Sequence, residues 1–192
     1  MKLFRILALF IIFSLAALGQ IWAAEFVADV INKVRGKTFH AKIYMKTNKI
    51  RLENQGQQNY SIVRMDKNVV WLIFPKDKVY MEMISYENQA STTLLKGEIG
   101  RKFLGTETIN GWETKKYEVT IKEEEEKTIK AWQWISTALN YPIKISAADG
   151  SWSSEYKNLK MESQPDSLFE LPAGFQKMEV PLFTPVPIPE KR

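Results

Sequence analysis

From residue 25 onward this chain alternates apolar and polar residues in short runs parted by turn residues, and that period commits it to antiparallel sheet. Phe39, Ala41, Ile43 and Met45 alternate with Thr38, His40, Lys42, Tyr44 and Lys46. Thr47-Asn48 turns the chain, and Ile50 and Leu52 return between Lys49, Arg51 and Glu53. Another strand runs over residues 60–65 and stops at Asp66-Lys67-Asn68. Residues 69–74 are apolar on both faces, the pattern of a strand covered on both sides. Residues 78–84 follow, with Val79, Met81 and Met83 on one face. Asn110-Gly111 and Asp149-Gly150 accept positive φ and predict tight two-residue hairpin turns. They join 107–109 to 112–121 and 143–147 to 151–158, with a further strand at 127–135. The count is about ten strands.

Two stretches read as helical. Residues 86–103 lack alternation and space Leu94, Leu95, Ile99 and Phe103 at helical intervals. Residues 165–169 predict a single turn with Pro165 at its first position.

The N-terminus has a different character. Lys2 and Arg5 precede an apolar run over 6–18 broken only by Ser14, and small residues follow at Gly19, Ala23 and Ala24. That is the layout of a secretory signal peptide, with cleavage expected near Ala23 or Ala24. The run is short of the roughly 20 residues of a membrane span, although an uncleaved anchor is the alternative reading. The absence of Cys at the exit excludes a lipid-anchored lipoprotein. The expected division is a signal peptide over 1–24, one domain over 25–179 and a Pro-rich extended tail over 180–192. The expected location is a periplasm or another exported site in a bacterial envelope, with no integral span after cleavage.

The part after residue 24 has 168 of the 192 residues, enough for one domain with its own core. With no Cys anywhere, that core holds without disulfides. Without Lys2 and Arg5, 25 basic residues face 22 acidic ones, a balance that argues against nucleic acid as a partner.

Catalytic chemistry has no positive signal. The only histidine, His40, sits on the polar side of a strand and reads as solvent-exposed. One His and no Cys offer no structural zinc set, and no Gly-x-Ser-x-Gly elbow or Gly-rich phosphate loop occurs. The four glutamates at 123–126 read as a solvated hairpin tip. The expectation is a non-enzyme with no cofactor and no metal.

What the chain has in surplus is apolar and aromatic residues on strands. Trp71, Trp132, Trp134 and Trp152 all fall on predicted strands, and Ile129, Ala131 and Ile135 oppose Trp132 and Trp134 across one of them. A single sheet with one wet face has no use for apolar residues on both sides. Either helices cover the second face, or the sheet curls around a cavity kept apolar for a ligand. Phe39, Ile43, Ile50, Leu52, Val79, Met81 and Met83 are the candidates for a ligand-binding concavity, and the same residues also suit a solid core.

Several short motifs then occur in a characteristic order: Lys49-Ile50-Arg51-Leu52-Glu53, Ile62-Val63-Arg64-Met65-Asp66, Val70-Trp71-Leu72, Pro75 and Tyr80. Gly105-Thr106-Glu107-Thr108-Ile109-Asn110-Gly111 precedes a Lys-Tyr strand, Pro142-Ile143-Lys144 opens another, and the run from Pro165 to Phe175 closes the set. Over most of residues 26–178 the chain resembles the lipoprotein-carrier superfamily of LolA and LolB, and most of all its uncharacterised exported, outer-membrane lipoprotein-sorting-like members. The resemblance implies a mainly β fold: a strongly curved, unclosed antiparallel half-barrel whose concave face is capped by short helices and holds lipid or lipoprotein acyl chains. Arg51 matches the arginine with which carriers hold a lid. Two departures stand out. Phe26 begins a strand pattern where carriers begin with a lid helix, and alternation turns Arg51 away from Ile50 and Leu52, toward solvent. The leading expectation is a periplasmic module that binds an acyl chain, lipid or lipoprotein, possible roles including lipoprotein sorting to the outer membrane. The rival is an envelope structural or sensor-type protein with a filled core that acts through surface contacts with other envelope proteins.

Overall fold

The computed structural model describes residues 25–84, 93–122 and 127–178. Among them one sheet contains β1 (Phe26–Val34), β2 (Lys37–Lys46), β3 (Lys49–Asn54), β4 (Tyr60–Arg64), β5 (Val69–Phe74), β6 (Val79–Ile84), β7 (Glu98–Ile109), β8 (Trp112–Lys122), β9 (Thr128–Ser136), β10 (Tyr141–Ala147), β11 (Trp152–Met161) and β12 (Gln176–Lys177). The spatial order is β12-β6-β5-β4-β3-β2-β1-β11-β10-β9-β8-β7. All neighbours are antiparallel except the short β12–β6 pair. β12 and β7 do not pair, so the sheet is an unclosed half-barrel.

Chain connectivity favours the curvature. β6 and β7 are consecutive in sequence but stand ten strand spacings apart. In a flat sheet that separation is about 48 Å. The fourteen steps from Ile84 to Glu98 reach at most ~50 Å when fully extended. Bending the sheet brings its edges within easy reach of that connection. The bend is toward the face carrying Phe26, Ile43 and Tyr156, where Ile109 and Trp112 at the β7–β8 tip pack against the main core. There Asn110 Nδ2 reaches past β9 and β10 to donate to the Tyr156 carbonyl at 2.8 Å and to Glu155 at 2.9 Å.

Turn chemistry sets most boundaries. Asn110 and Gly111 both have positive φ (51° and 84°), as their hairpin requires. Asp149-Gly150 departs from the two-residue expectation. Only Gly150 is left-handed, while Asp149 Oδ1 accepts from Ser151 N at 2.9 Å within a four-residue connection.

The larger correction is at 86–103. Its residues 98–103 are not helical but form the first half of the twelve-residue strand β7. Register shifts at Glu98/Gly100 and Phe103/Gly105 break the period-two signal, leaving apolar spacings that mimic a helix. Residues 86–92 of that prediction, the signal peptide at 1–24, the tip at 123–126 and the tail at 180–192 lie outside the described residues. The strand count of about ten becomes twelve because short β12 was not foreseen and β1 showed in the sequence only as a pattern starting at Phe26. Helix among the described residues is limited to two 3-10 turns, Met65–Lys67 and Asp166–Phe169.

The second 3-10 turn is part of a strap, residues 162–178, that covers the outer face of β2–β6. Phe169 is fully buried there against Ile62, Trp71 and Ile73. Polar grips hold its path. Lys46, Lys49 and Arg64 form a cross-strand row of cations, and the strap brings acids to it. Lys49 Nζ donates to Asp166 at 2.7 Å, and Arg64 Nη1 reaches both the Phe169 carbonyl and Glu170. Arg64 also forks onto Asp66 at 2.8 and 2.6 Å, with its side chain only 5% exposed. Arg51 donates to the Leu168 carbonyl and stacks 3.8 Å from the Tyr60 ring centroid. Alternation does turn Arg51 away from Ile50 and Leu52, but that side is roofed by the strap, so the residue is not free in solvent.

Hydrogen bonds from Arg64 hold the Asp66 carboxyl below its usual range, and Lys49 does the same for Asp166. A depressed carboxyl contributes stability in full above its unfolded value, about 4, and that contribution fades as pH falls through the lower folded value. Arg64→Met is expected to cost about 2–3 kcal/mol near neutral pH, because it strands Asp66 and the Phe169 carbonyl. It is also expected to flatten the acid-side fall in melting temperature below about pH 4. An acid slope unchanged from wild type in thermal melts contradicts this account.

Candidate functional site

Cross-strand pairing sorts the side chains of the strongly paired half of the sheet into two faces. On the inner face one row runs Met161, Phe26, Met45, Ile50, Val63, Val70, Met83. The next runs Ala28, Ile43, Leu52, Ser61, Leu72, Met81. Apart from Ser61 both rows are apolar from β1 to β6. On the outer face the matching rows are Tyr44, Arg51, Ile62, Trp71, Glu82 and Lys42, Glu53, Tyr60, Ile73, Tyr80, which the strap partly covers.

The seven candidate residues fall on the inner face, graded in exposure. Ile43, Ile50 and Leu52 are buried in the main core. Val79 and Met81 on β6 are half-buried, and Met83 is 39% exposed. Phe39 lies at the far end of β2 and is 44% exposed, well away from Met83 in the register. Packing thus tightens at the centre of the face and opens toward β6, where β12 pairs only with Val79 and Tyr80.

Two buried polar features of this face stand outside the predicted set. Tyr141 and Tyr156 hold their hydroxyls 3.4 Å apart, with Phe26 edge-on to the Tyr141 ring at 5.7 Å. Burial pushes the Tyr156 hydroxyl up to about 12 and raises Tyr141 as well, so both stay neutral. On β9, Gln133 is fully buried and accepts from Arg101 Nη2 at 3.2 Å. A signal for it existed in the sequence, since Gln133 takes the inward position between Ala131 and Ile135.

The outer face is polar where the strap ends. Two open cavities of about 660 and 530 Å³ lie on that side, the larger lined by Asp29, His40, Lys42, Glu53, Gln57 and Tyr60 among others. Trp134 is spent there on structure. Its Nε1 donates to Glu107 at 2.8 Å, and Lys116 and Lys144 each sit 4.9 Å from its ring centroid. Among the described residues no group of three or more His, Cys, Asp or Glu could hold a metal ion, and no helix is long and apolar enough to cross a membrane.

An open half-barrel with one apolar face and a strapped opposite face is the class of protein these features define. Residues 30–139 match the family described as a domain of unknown function, DUF4412, and the chain belongs to that family. Comparison with curated proteins returns no match. Among solved structures, MucB superposes with a TM-score of 0.59 at 12% identity, over 86% of this chain and 62% of that chain. The complex of MucA and MucB from Pseudomonas aeruginosa gives 0.52 at 12% identity, over 75% and 54%. The chain thus spans less than two thirds of the MucB chains it matches, and at such identity the likeness is one of fold. A LolA superfamily protein from Nitrosomonas europaea also matches, with a TM-score of 0.37 at 11% identity over 77% of this chain and 90% of that one.

The gradient along the inner face has a measurable signature. Ile43→Ala is expected to cost about 2–4 kcal/mol in urea denaturation, as for a fully buried aliphatic side chain. Met83→Ala, at the open rim, is expected to cost under about 1 kcal/mol. Equal losses at both positions contradict the gradient.

Proposed function

We propose that this protein is an exported, non-enzymatic binding module that lays the acyl chain of a lipid or lipoprotein along the inner face of the half-barrel. The observation carrying this reading is the pair of apolar rows that continue out of the packed core and stay apolar to the open edge at Met81 and Met83. A buried alkyl chain gains about 25 cal/mol per Å² of apolar area removed from water, before ordering costs. Val79, Met81 and Met83 would form the rim that meets the ligand, and methionine suits chains of varied shape. Ile43, Ile50 and Leu52 would form the floor. Arg51 has a different task here from a carrier's lid arginine: it grips the strap on the far side. Periplasmic location and a part in lipoprotein sorting to the outer membrane belong to this proposal and draw on the signal-like N-terminus and the carrier resemblance.

A second reading, partner recognition in the envelope, is favoured by one specific observation. β7 is a twelve-residue edge strand, and Ile99, Phe103 and Leu104 on it are exposed. An open apolar edge of that length is a template for an added strand from a partner.

Met81→Gln tests the acyl-binding reading. Under acyl binding it costs less than about 1 kcal/mol in stability, because the half-buried amide keeps water, and it weakens binding of a long-chain acyl fluorophore. A loss of about 1–3 kcal/mol at Met81, with no fluorophore binding by the wild type, contradicts acyl binding.

A further inference from the structure

Gln133 is the anomaly of the inner face. It is 0% exposed, and its Nε2 has no hydrogen-bond partner, although buried amide donors nearly always find one. Its cross-strand neighbours are Tyr117 and Ile145, and Val119 and Ala131 of the second apolar cluster lie on the same face. The amide is nevertheless fixed in orientation. Its Oε1 accepts from Arg101 Nη2, and Arg101 is locked by Glu98 at 2.6 and 2.8 Å and by the Thr93 carbonyl at 2.6 Å. The guanidinium lies 5.0 Å from the Tyr117 ring centroid, and Glu98 also accepts from Leu95 N at 3.0 Å. Arg101 Nη1 has no acceptor among the described residues. Two donors, one of them wholly desolvated, thus stand without acceptors among the described residues, beside the second buried apolar cluster.

We infer that Gln133 Nε2, assisted by Arg101, is the anchor for a neutral acyl carbonyl, the ester oxygen of an acylated lipid or lipoprotein. This rests on the acyl-binding reading and specifies its ligand: an amphiphile with a carbonyl at the head of the chain, rather than plain hydrocarbon. Charge selects the neutral group. Glu98 already balances Arg101 in a bidentate pair, so a free carboxylate would add an uncompensated anion to a buried face. A carbonyl accepts from the orphan donor and brings no charge.

The test uses displacement of a bound long-chain acyl fluorophore by dodecane, methyl laurate and laurate. Wild type is expected to bind methyl laurate three- to tenfold more tightly than dodecane or laurate, the scale of one net hydrogen bond. Gln133→Met, which removes the orphan donor, is expected to hold or raise the melting temperature, erase the ester preference and leave dodecane unchanged. Gln133→Leu, a second uncharged side chain without the donor, is expected to lose the same preference, and thermal melts of both variants establish that each is folded. Equal affinity for ester and alkane, or an ester preference that survives both substitutions, overturns the anchor while acyl binding stands. A preference for laurate overturns the neutral-carbonyl assignment. Absence of fluorophore binding by wild type overturns acyl binding, and the anchor with it.

Discussion

The Arg64 guanidinium decides which face of this sheet remains available. Strands β4 and β5 are apolar on both sides, and a sheet of that kind must cover both or present one to a ligand. Arg64 holds Asp66, the Phe169 carbonyl and Glu170 at once, and so fixes the strap at the point where Phe169 enters the outer cluster. The cations beside it would repel one another without the acids that the strap brings. With the outer apolar face closed in this way, the inner face is the one whose apolar surface extends to an open edge.

Topology accounts for the other half of the design. β6 and β7 follow each other in the chain but stand ten strand spacings apart, a separation that curvature of the sheet shortens. The described end of the connection between them lies on the inner face, with Leu95 against Val119, Ile121 and Ala131. The polar triad of Arg101, Glu98 and Gln133 sits directly beneath it. The face is therefore packed at its centre, polar at one spot near β7 and β9, and open at Met81 and Met83.

Much of this was legible in the sequence, for a physical reason. Alternation reports which side chains share a face, so the row positions of Ile43, Ile50, Leu52, Met81 and Met83 could be read directly from period two. Asn110-Gly111 behaved as its backbone preference requires. Alternation fails where the strand itself is irregular, and the two register shifts in β7 made residues 98–103 resemble a helix. Long-range cover is also invisible to local pattern. Nothing near Arg51 signals that a segment more than a hundred residues later roofs it, and the strap's grip on Arg64 is a tertiary fact. Gln133 was readable as an inward polar residue; that its amide is half unsatisfied required the geometry.

The central claim is that an acyl chain lies on the inner face and emerges at β6. Intermolecular nuclear Overhauser contacts between a long-chain acyl ester and the protein test it most directly, because they report only neighbours within a few ångströms. The account predicts contacts from the ligand chain to the methyl groups of Met81 and Met83, with none to the Trp71 or Trp132 rings on the outer face. Contacts confined to those tryptophans, or to the exposed residues of β7, would contradict it.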